Sequence, residues 1–424
     1  MPARRILVVV YPHPPMPSVG GNRWAAAARH LRRMGHDVTV LTTSAYGSDP
    51  GDRPGEVMRS ADLNAAPALR ALLRRPALAD RSGGLPSRHK AAPALLTRVI
   101  VPDAFALSWA PAALRTARAM LRRERFDCVV TSSPFESTHL LGLALGRRRP
   151  AWVADLRDGW TFEPLRPPFP SGAQRALDRR LERTVMQSAD AVVGATQPIA
   201  ADLSRRFGVD AAYVPNGWDP DLEPEVTRAV STLPPRDGRV RLVHTGGLSN
   251  RADPKPLFAA LRAAAPDMRG RLELVLAGRL TDADAQLVEE AVRNDLPVTY
   301  LGMLPRVEAL ALQRQADVLL LITSRQSSEV TGKLSEYLAA GRPILALAAG
   351  NAAAGIVRET RTGRTMPPDD EASIAGVLRR LAAGELDFGY APTGLERYRF
   401  PGVAEALAEQ IERAVDARRP ALTR

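Results

Sequence analysis

Uninterrupted apolar runs recur along the chain, each followed by a glycine- or proline-rich turn and then by a stretch whose apolar positions have helical spacing. The first run, 6–10, is apolar throughout, as a strand buried on both faces of a parallel sheet must be. A loop ending in Gly20-Gly21-Asn22 opens a helix over 23–34, Gly35 closes it, and 37–41 is the next strand. Further strands are predicted at 126–131, 151–154, 191–195 and 211–214, with helices over 111–123, 139–145, 173–189 and 198–207. A second series starts at 240–244 and continues with strands at 272–277, 298–301, 316–322 and 344–348. Helices over 256–264, 283–293 and 306–315, and one opening at Gly332, alternate with them. The pattern predicts an α/β chain with two Rossmann-like parallel-sheet domains.

Residues 1–217 make the first domain and 239–395 the second. Residues 46–110 lack sustained periodicity and read as an acceptor-side insertion of the first domain. The Pro- and acid-rich stretch 218–238 reads as an interdomain linker. In 396–424, Leu407, Ile411 and Val415 share one face of an amphipathic helix, expected to pack back on the N-terminal domain.

Composition narrows the class. The 424 residues are 45% apolar and 25% charged, which is globular. No run approaches the ~18–20 apolar residues of a membrane span. The opening MPARRILVVVYPHPP is too short in its apolar part for a signal peptide and reads as a first strand. The single cysteine, Cys128, lies in an apolar strand, which suits core packing and a reducing cytoplasm. A formal charge of +12 raises nucleic acid as a partner, but aromatics are only 5% and no binding motif is present. An anionic membrane surface, on its inner face, or a polyanionic acceptor suits the excess better; Arg-rich solvated faces account for it equally. Only three of the basic residues are lysines: Lys90, Lys255 and Lys333. A lysine kept among so many arginines points to a site wanting a compact point charge.

Candidate chemistry collects at strand ends, where open α/β sheets hold their ligands. The stretch TSRQSSEVTGKLSEYLAAGRP runs from an apolar strand into a helix whose first turn carries Lys333 and Glu336 on one face. Its N-terminus favours an anion, which makes Ser328, Glu329, Thr331, Gly332, Lys333, Leu334 and Glu336 donor-site candidates. The Gly246-Gly247 turn, Arg279 after Gly278, and the Gly20-Gly21 turn are further ligand-facing candidates. Asp155, Arg157 and Asp158 follow a strand and are the catalytic or acceptor-binding candidates, with an Asp–Arg pair stapling a loop as the alternative. His139 serves capping or packing as readily as a site. No Asp-x-Asp at a strand end and no His/Cys spacing suggests a metal, and no cofactor is expected.

These segments, in this order, resemble the glycosyltransferase B fold, two Rossmann-like domains facing each other across a cleft. The chain resembles in particular the retaining nucleotide-sugar glycosyltransferases of family four. The matching stretches are the N-terminal Gly-Gly loop, ADAVVGATQPIAADLSRRFGVDAAYVPNGWDP, TGGLSNRADPKPLFAAL, LVLAGR, YLGMLPRVEALALQRQADVLLL and GKLSEYLAAGRPILA. The family carries two glutamates separated by seven residues. Glu336 fits the second; counting back places Ser328 at the first, with Glu329 one position along. The resemblance implies that Arg251 and Lys255 are the basic pair on the donor diphosphate. It also implies that Arg157 stands near the strand end where many relatives have a catalytic histidine.

The implied activity is transfer of a sugar from a nucleoside-diphosphate sugar to an acceptor hydroxyl, with retention and with cations and N–H groups stabilising the leaving diphosphate. Expected acceptors are glycan or lipid-linked intermediates of cell-envelope polysaccharide or glycolipid assembly, or a small natural product. A nucleotide-sugar epimerase of the same fold and a non-catalytic nucleotide binder are the other readings.

Overall fold

The computed structural model describes residues 2–422 apart from 17, 63–97, 105–106, 165, 231–237, 249–251 and 269. The chain divides into two units, Met1–Asn216 with Phe400–Arg424, and Gly217–Arg399.

The first unit is built on seven strands: β1 (Arg5–Val10), β2 (Asp37–Thr43), β3 (Val57–Ser60), β4 (Cys128–Ser132), β5 (Ala151–Leu156), β6 (Ala191–Gly194) and β7 (Ala211–Tyr213). Their order is β3-β2-β1-β4-β5-β6-β7 and every neighbouring pair is parallel. Helices α1 (Val19–Arg33), α2 (Ala110–Arg123), α3 (Ser137–Ala144), α4 (Gly172–Ser188) and α5 (Gln197–Phe207) make the crossovers among the described residues. Local chemistry sets their ends. Ser18 accepts from the Gly21 N–H to cap α1, a Ser171–Gln174 capping box opens α4, and Gly208 closes α5 in the left-handed region. Strand order reverses between β1 and β4, which opens a crevice outside their carboxyl ends.

Residues 218–230 are not an open linker. A single 3-10 turn (Pro220–Leu222) leads into α6 (Glu223–Val230), which buries Val226 against Leu310 and Ala311 of the second unit. The stretch is polar enough to read as a linker, but Glu223 and Glu225 suit a helix N-terminus and Pro224 sits in the first turn, where it costs no hydrogen bond.

The second unit repeats the plan with β8 (Val240–Thr245), β9 (Leu272–Ala277), β10 (Val298–Tyr300), β11 (Val318–Ile322), β12 (Ile344–Leu347) and β13 (Gly363–Met366). The order is β10-β9-β8-β11-β12-β13, again all parallel. Helices α7 (Lys255–Met268), α8 (Asp282–Arg293), α9 (Arg306–Gln315), α10 (Gly332–Ala340), α11 (Ala352–Glu359) and α12 (Glu371–Ala382) alternate with the strands. Here the reversal falls between β8 and β11.

The unit ends later than residue 395. A 3-10 turn (Leu395–Tyr398) buries Tyr398 beside Tyr337 and Leu338, and Trp218 N–H donates to its carbonyl at 2.9 Å. Helix α13 (Gly402–Leu422) then returns to the first unit. Val403, Leu407, Ile411 and Val415 join the core of Ile6, Val8, Val130 and Val153, and Arg4 grips Glu412 with two bonds of 2.8 and 2.7 Å. Much of the 46–110 insertion lies outside the described residues. Its described ends hold β3, whose Ser60 hydroxyl accepts from the Trp109 indole at 2.7 Å.

Candidate functional site

In the second unit the site forms where β8 and β11 part. Their pairing runs Val318 with Leu242 and Leu319 with Val243. One residue further on, His244 Nδ1 lies 2.9 Å from the Leu320 carbonyl. A carbonyl can only accept, so Nδ1 carries the proton and Nε2 offers a lone pair. Lys333 Nζ approaches that Nε2 at 3.1 Å and donates to the Gly247 carbonyl at 2.9 Å. Burial, with the Lys333 charge beside it, pushes the His244 pKa down to about 3.

Two features aim Lys333. Tyr337 sits one turn further along α10 on the same face. Its hydroxyl donates to the Leu320 carbonyl at 3.2 Å and accepts from the Thr245 N–H at 3.1 Å, which pins the helix to the seam. Gly246, at φ +91°, leaves the space the lysine stem uses: a Cβ there would stand 2.7 Å from Lys333 Cε. Gly278, at φ +139°, is needed for a related reason, because a Cβ would stand 2.5 Å from the Gly246 carbonyl oxygen.

The other candidates of this unit spread over several environments. Thr331 is the N-cap of α10 but makes no side-chain cap bond, and its hydroxyl oxygen is buried without a hydrogen-bond partner. Glu336 is half-buried and reaches Arg306 of α9 at 3.4 Å rather than Lys333. Lys255 is exposed at the start of α7, where Asp253 caps its N–H, and Arg279 is exposed on its strand-end turn. Arg251 lies outside the described residues.

Leu334 and Glu329 take inward roles instead. The Leu334 side chain is 1% exposed in the core beneath the sheet, so only its backbone can serve a ligand. Glu329 is buried and folds its own loop, accepting from the Ser324 N–H at 2.6 Å and from the Ser324 hydroxyl. Ser327 and Glu329 carbonyls receive the first N–H groups of α11, and Ser328 is left half-buried on that turn.

In the first unit the strand-end charges separate by depth. Asp155 is fully buried. It accepts from Arg23 at 3.3 Å, the Trp24 indole at 3.0 Å and the Ser132 hydroxyl at 2.7 Å. Arg23 also donates to the Val214 and Pro215 carbonyls. The network ties α1 to the ends of β4, β5 and β7, which gives Asp155 a structural place rather than a catalytic one. The partner in the expected Asp–Arg staple is therefore Arg23, not Arg157.

Arg157 lies beyond the strand, half-buried, with its N–H on the Ser133 hydroxyl at 3.0 Å. Its guanidinium fills the space above Gly20, where a Cβ would stand 1.8 Å from Nη1. A Cβ on Gly21 would stand 3.0 Å from the His13 Cα. Both glycines thus have packing reasons to be small. Asp158 is half-buried on the same turn as Arg157. His139 is core: fully buried, stacked on Trp160, with Nδ1 2.9 Å from the Thr131 hydroxyl. Sequence reasoning missed Arg23, Trp24, His244 and Tyr337. Only Tyr337 left a trace, its four-residue spacing from Lys333.

Two all-parallel Rossmann-like sheets, each with one strand-order reversal, make the fold of the B-type glycosyltransferases. Residues 20–217 match the glycosyl transferase 4-like domain and 239–383 the glycosyl transferases group 1 domain. The chain belongs to this family-four-like group, and it is a glycosyltransferase. A comparison with curated protein sequences finds no match.

Solved structures of the same fold include sucrose-phosphate synthase from Thermosynechococcus elongatus (TM-score 0.58, 17% identity, covering 99% of this chain and 98% of that one). WaaG, a glycosyltransferase involved in lipopolysaccharide biosynthesis, gives a TM-score of 0.57 at 15% identity, covering 97% and 95%. HepE from Anabaena, in complex with UDP-glucose, gives 0.56 at 14% identity, covering 98% of each. Among the described residues, no helix is long and apolar enough to cross a membrane.

Proposed function

We propose that the protein transfers a sugar from a nucleoside-diphosphate sugar to an acceptor hydroxyl, and that the donor diphosphate rests over the Gly246-Gly247 turn. One observation carries this reading: the Lys333 ammonium, steered by Tyr337 and seated on Gly246, lies at the strand-order reversal of the second sheet. Negative charge grows on the diphosphate as the sugar leaves, and a fixed cation there stabilises the transition state more than the ground state. The unpartnered Thr331 hydroxyl at the N-cap of α10 supplies a neutral donor beside it. Lys255 and Arg251 add charge, Glu336 takes donor hydroxyls, and these groups do the work without a metal. Chelation by EDTA is therefore expected to leave the rate unchanged.

Arg157 and Asp158 serve the acceptor side and transfer proceeds with retention, the leaving phosphate taking the acceptor proton. HepE is a UDP-glucose complex and WaaG acts in lipopolysaccharide biosynthesis. The first supports a uridine-type donor and the second a cell-envelope acceptor for this chain, and the formal charge of +12 suits work at the inner face of an anionic membrane. Thermal shifts with UDP-, GDP-, ADP- and dTDP-sugars test the donor claim. A shift with at least one donor, lost in Lys333→Ala, is expected. No shift with any, or one unchanged in that variant, overturns it. Conversion of the donor without an acceptor would show an epimerase instead.

A further inference from the structure

Lys333 reaches the mouth of β8 from a helix, and a lysine stem has four rotatable bonds that must be held if its charge is to act at a fixed point. The Gly247 carbonyl and His244 Nε2 are two acceptors placed for it, at 2.9 and 3.1 Å. Nε2 is available only because Nδ1 spends its proton on Leu320, a carbonyl of the adjacent strand. The Gly247 carbonyl lies 3.3 Å from Nε2, and with that tautomer it accepts from the lysine rather than from the ring. A charged imidazole would set an N–H against the ammonium; burial and the lysine itself keep the ring neutral across the ordinary working range.

We infer that His244 is a positioning residue for catalysis: fixed as the Nδ1–H tautomer by Leu320, it holds the Lys333 ammonium over Gly246 so that the charge meets the donor diphosphate. The inference deepens the donor-site reading and rests on it. His244 touches no substrate; its whole effect passes through Lys333.

A double-mutant cycle tests this. Binding of UDP and of inorganic pyrophosphate is measured by calorimetry for the wild type, His244→Ala, Lys333→Ala and the double variant. Loss of one charge-assisted hydrogen bond should weaken binding about tenfold in His244→Ala, yet change it less than about twofold once Lys333 is gone. His244→Gln, which keeps an acceptor, should recover part of the loss and guards against a misfolded alanine variant. With only three lysines in the chain, 15N-lysine labelling gives few ζ signals. The one assigned to Lys333 should move in both His244 variants. Additive effects, or an unmoved signal, overturn the role of His244 while leaving the donor site standing. Failure of both probes to bind the wild type, or no loss in Lys333→Ala, overturns the donor reading beneath it.

Discussion

The Arg157 guanidinium occupies the space from which a side chain at Gly20 would grow, so the glycine and the arginine exclude each other's alternatives. Gly20 lies in the first turn of α1 at ordinary helical φ, where alanine normally stabilises by about 0.5–1 kcal/mol. The obstruction is the guanidinium end of a long side chain, which a change of rotamer can move, with Pro134 Cδ 3.2 Å from the same point. Gly20→Ala is therefore expected to keep the melting temperature within a few degrees while lowering kcat/KM at least tenfold. Equal activity in a folded variant would remove Arg157's location from the mechanism.

Gly246→Ala should behave differently, because φ +91° strains any side chain and Lys333 blocks the same space. Both stability and donor affinity are expected to fall, with a stability loss of about 1–2 kcal/mol. Denaturant melts and UDP binding on one preparation separate the two effects. Unchanged affinity would show that Lys333 needs no seat there.

Asp155→Ala leaves Arg23 buried without its carboxylate and frees the Trp24 and Ser132 donors. The expected cost is about 3–5 kcal/mol, enough to lose most soluble protein. Asp155→Asn keeps an acceptor and should fold with reduced stability and substantial activity per folded molecule. An Asp155→Asn enzyme with native stability and no turnover would return this residue to the catalytic set.

Acid should destabilise the fold through four buried histidines, His36 among them, whose pKa burial also lowers. Burial pushes His13, next to Arg59, and His139 down to about 4, and His244 down to about 3. Between about pH 6.5 and these values the unfolded chain binds protons that the folded one refuses. Stability is therefore present above that window and is lost as pH falls through it, by up to about 1.4 kcal/mol per pH unit for each ring. Melting temperatures at pH 7.5, 6 and 5 should fall in order. His139→Gln should start lower but fall less steeply, and parallel slopes would assign the acid loss elsewhere.

Strand positions and both sheets' parallel character are legible because apolar runs and glycine stops report local structure directly. Depth is not. Asp155 and Arg157 are two residues apart at one strand end and look alike in sequence. Their different fates depend on Arg23 and Trp24, more than 130 residues earlier, which no local pattern connects. Glu329 looked like a substitute acid because it is a glutamate beside the expected position; its hydrogen bond to Ser324 turns it into the loop's own fastening. The helix at 223–230 was hidden because one buried valine gives too little periodicity to see.

The return of α13 to the first unit has a consequence for synthesis on the ribosome. Residues 217–399 are contiguous, so that unit can finish folding once its own stretch has emerged. The amino-terminal unit cannot. The apolar stripe of α13 supplies part of its core, and Glu412 is the partner of Arg4. Although most of it is made first, it waits, incomplete and with that core uncovered, until residues beyond 400 appear. Released chains truncated after residue 399 should therefore carry a protease-resistant second unit and a protease-sensitive first one, the reverse of the usual amino-to-carboxyl order.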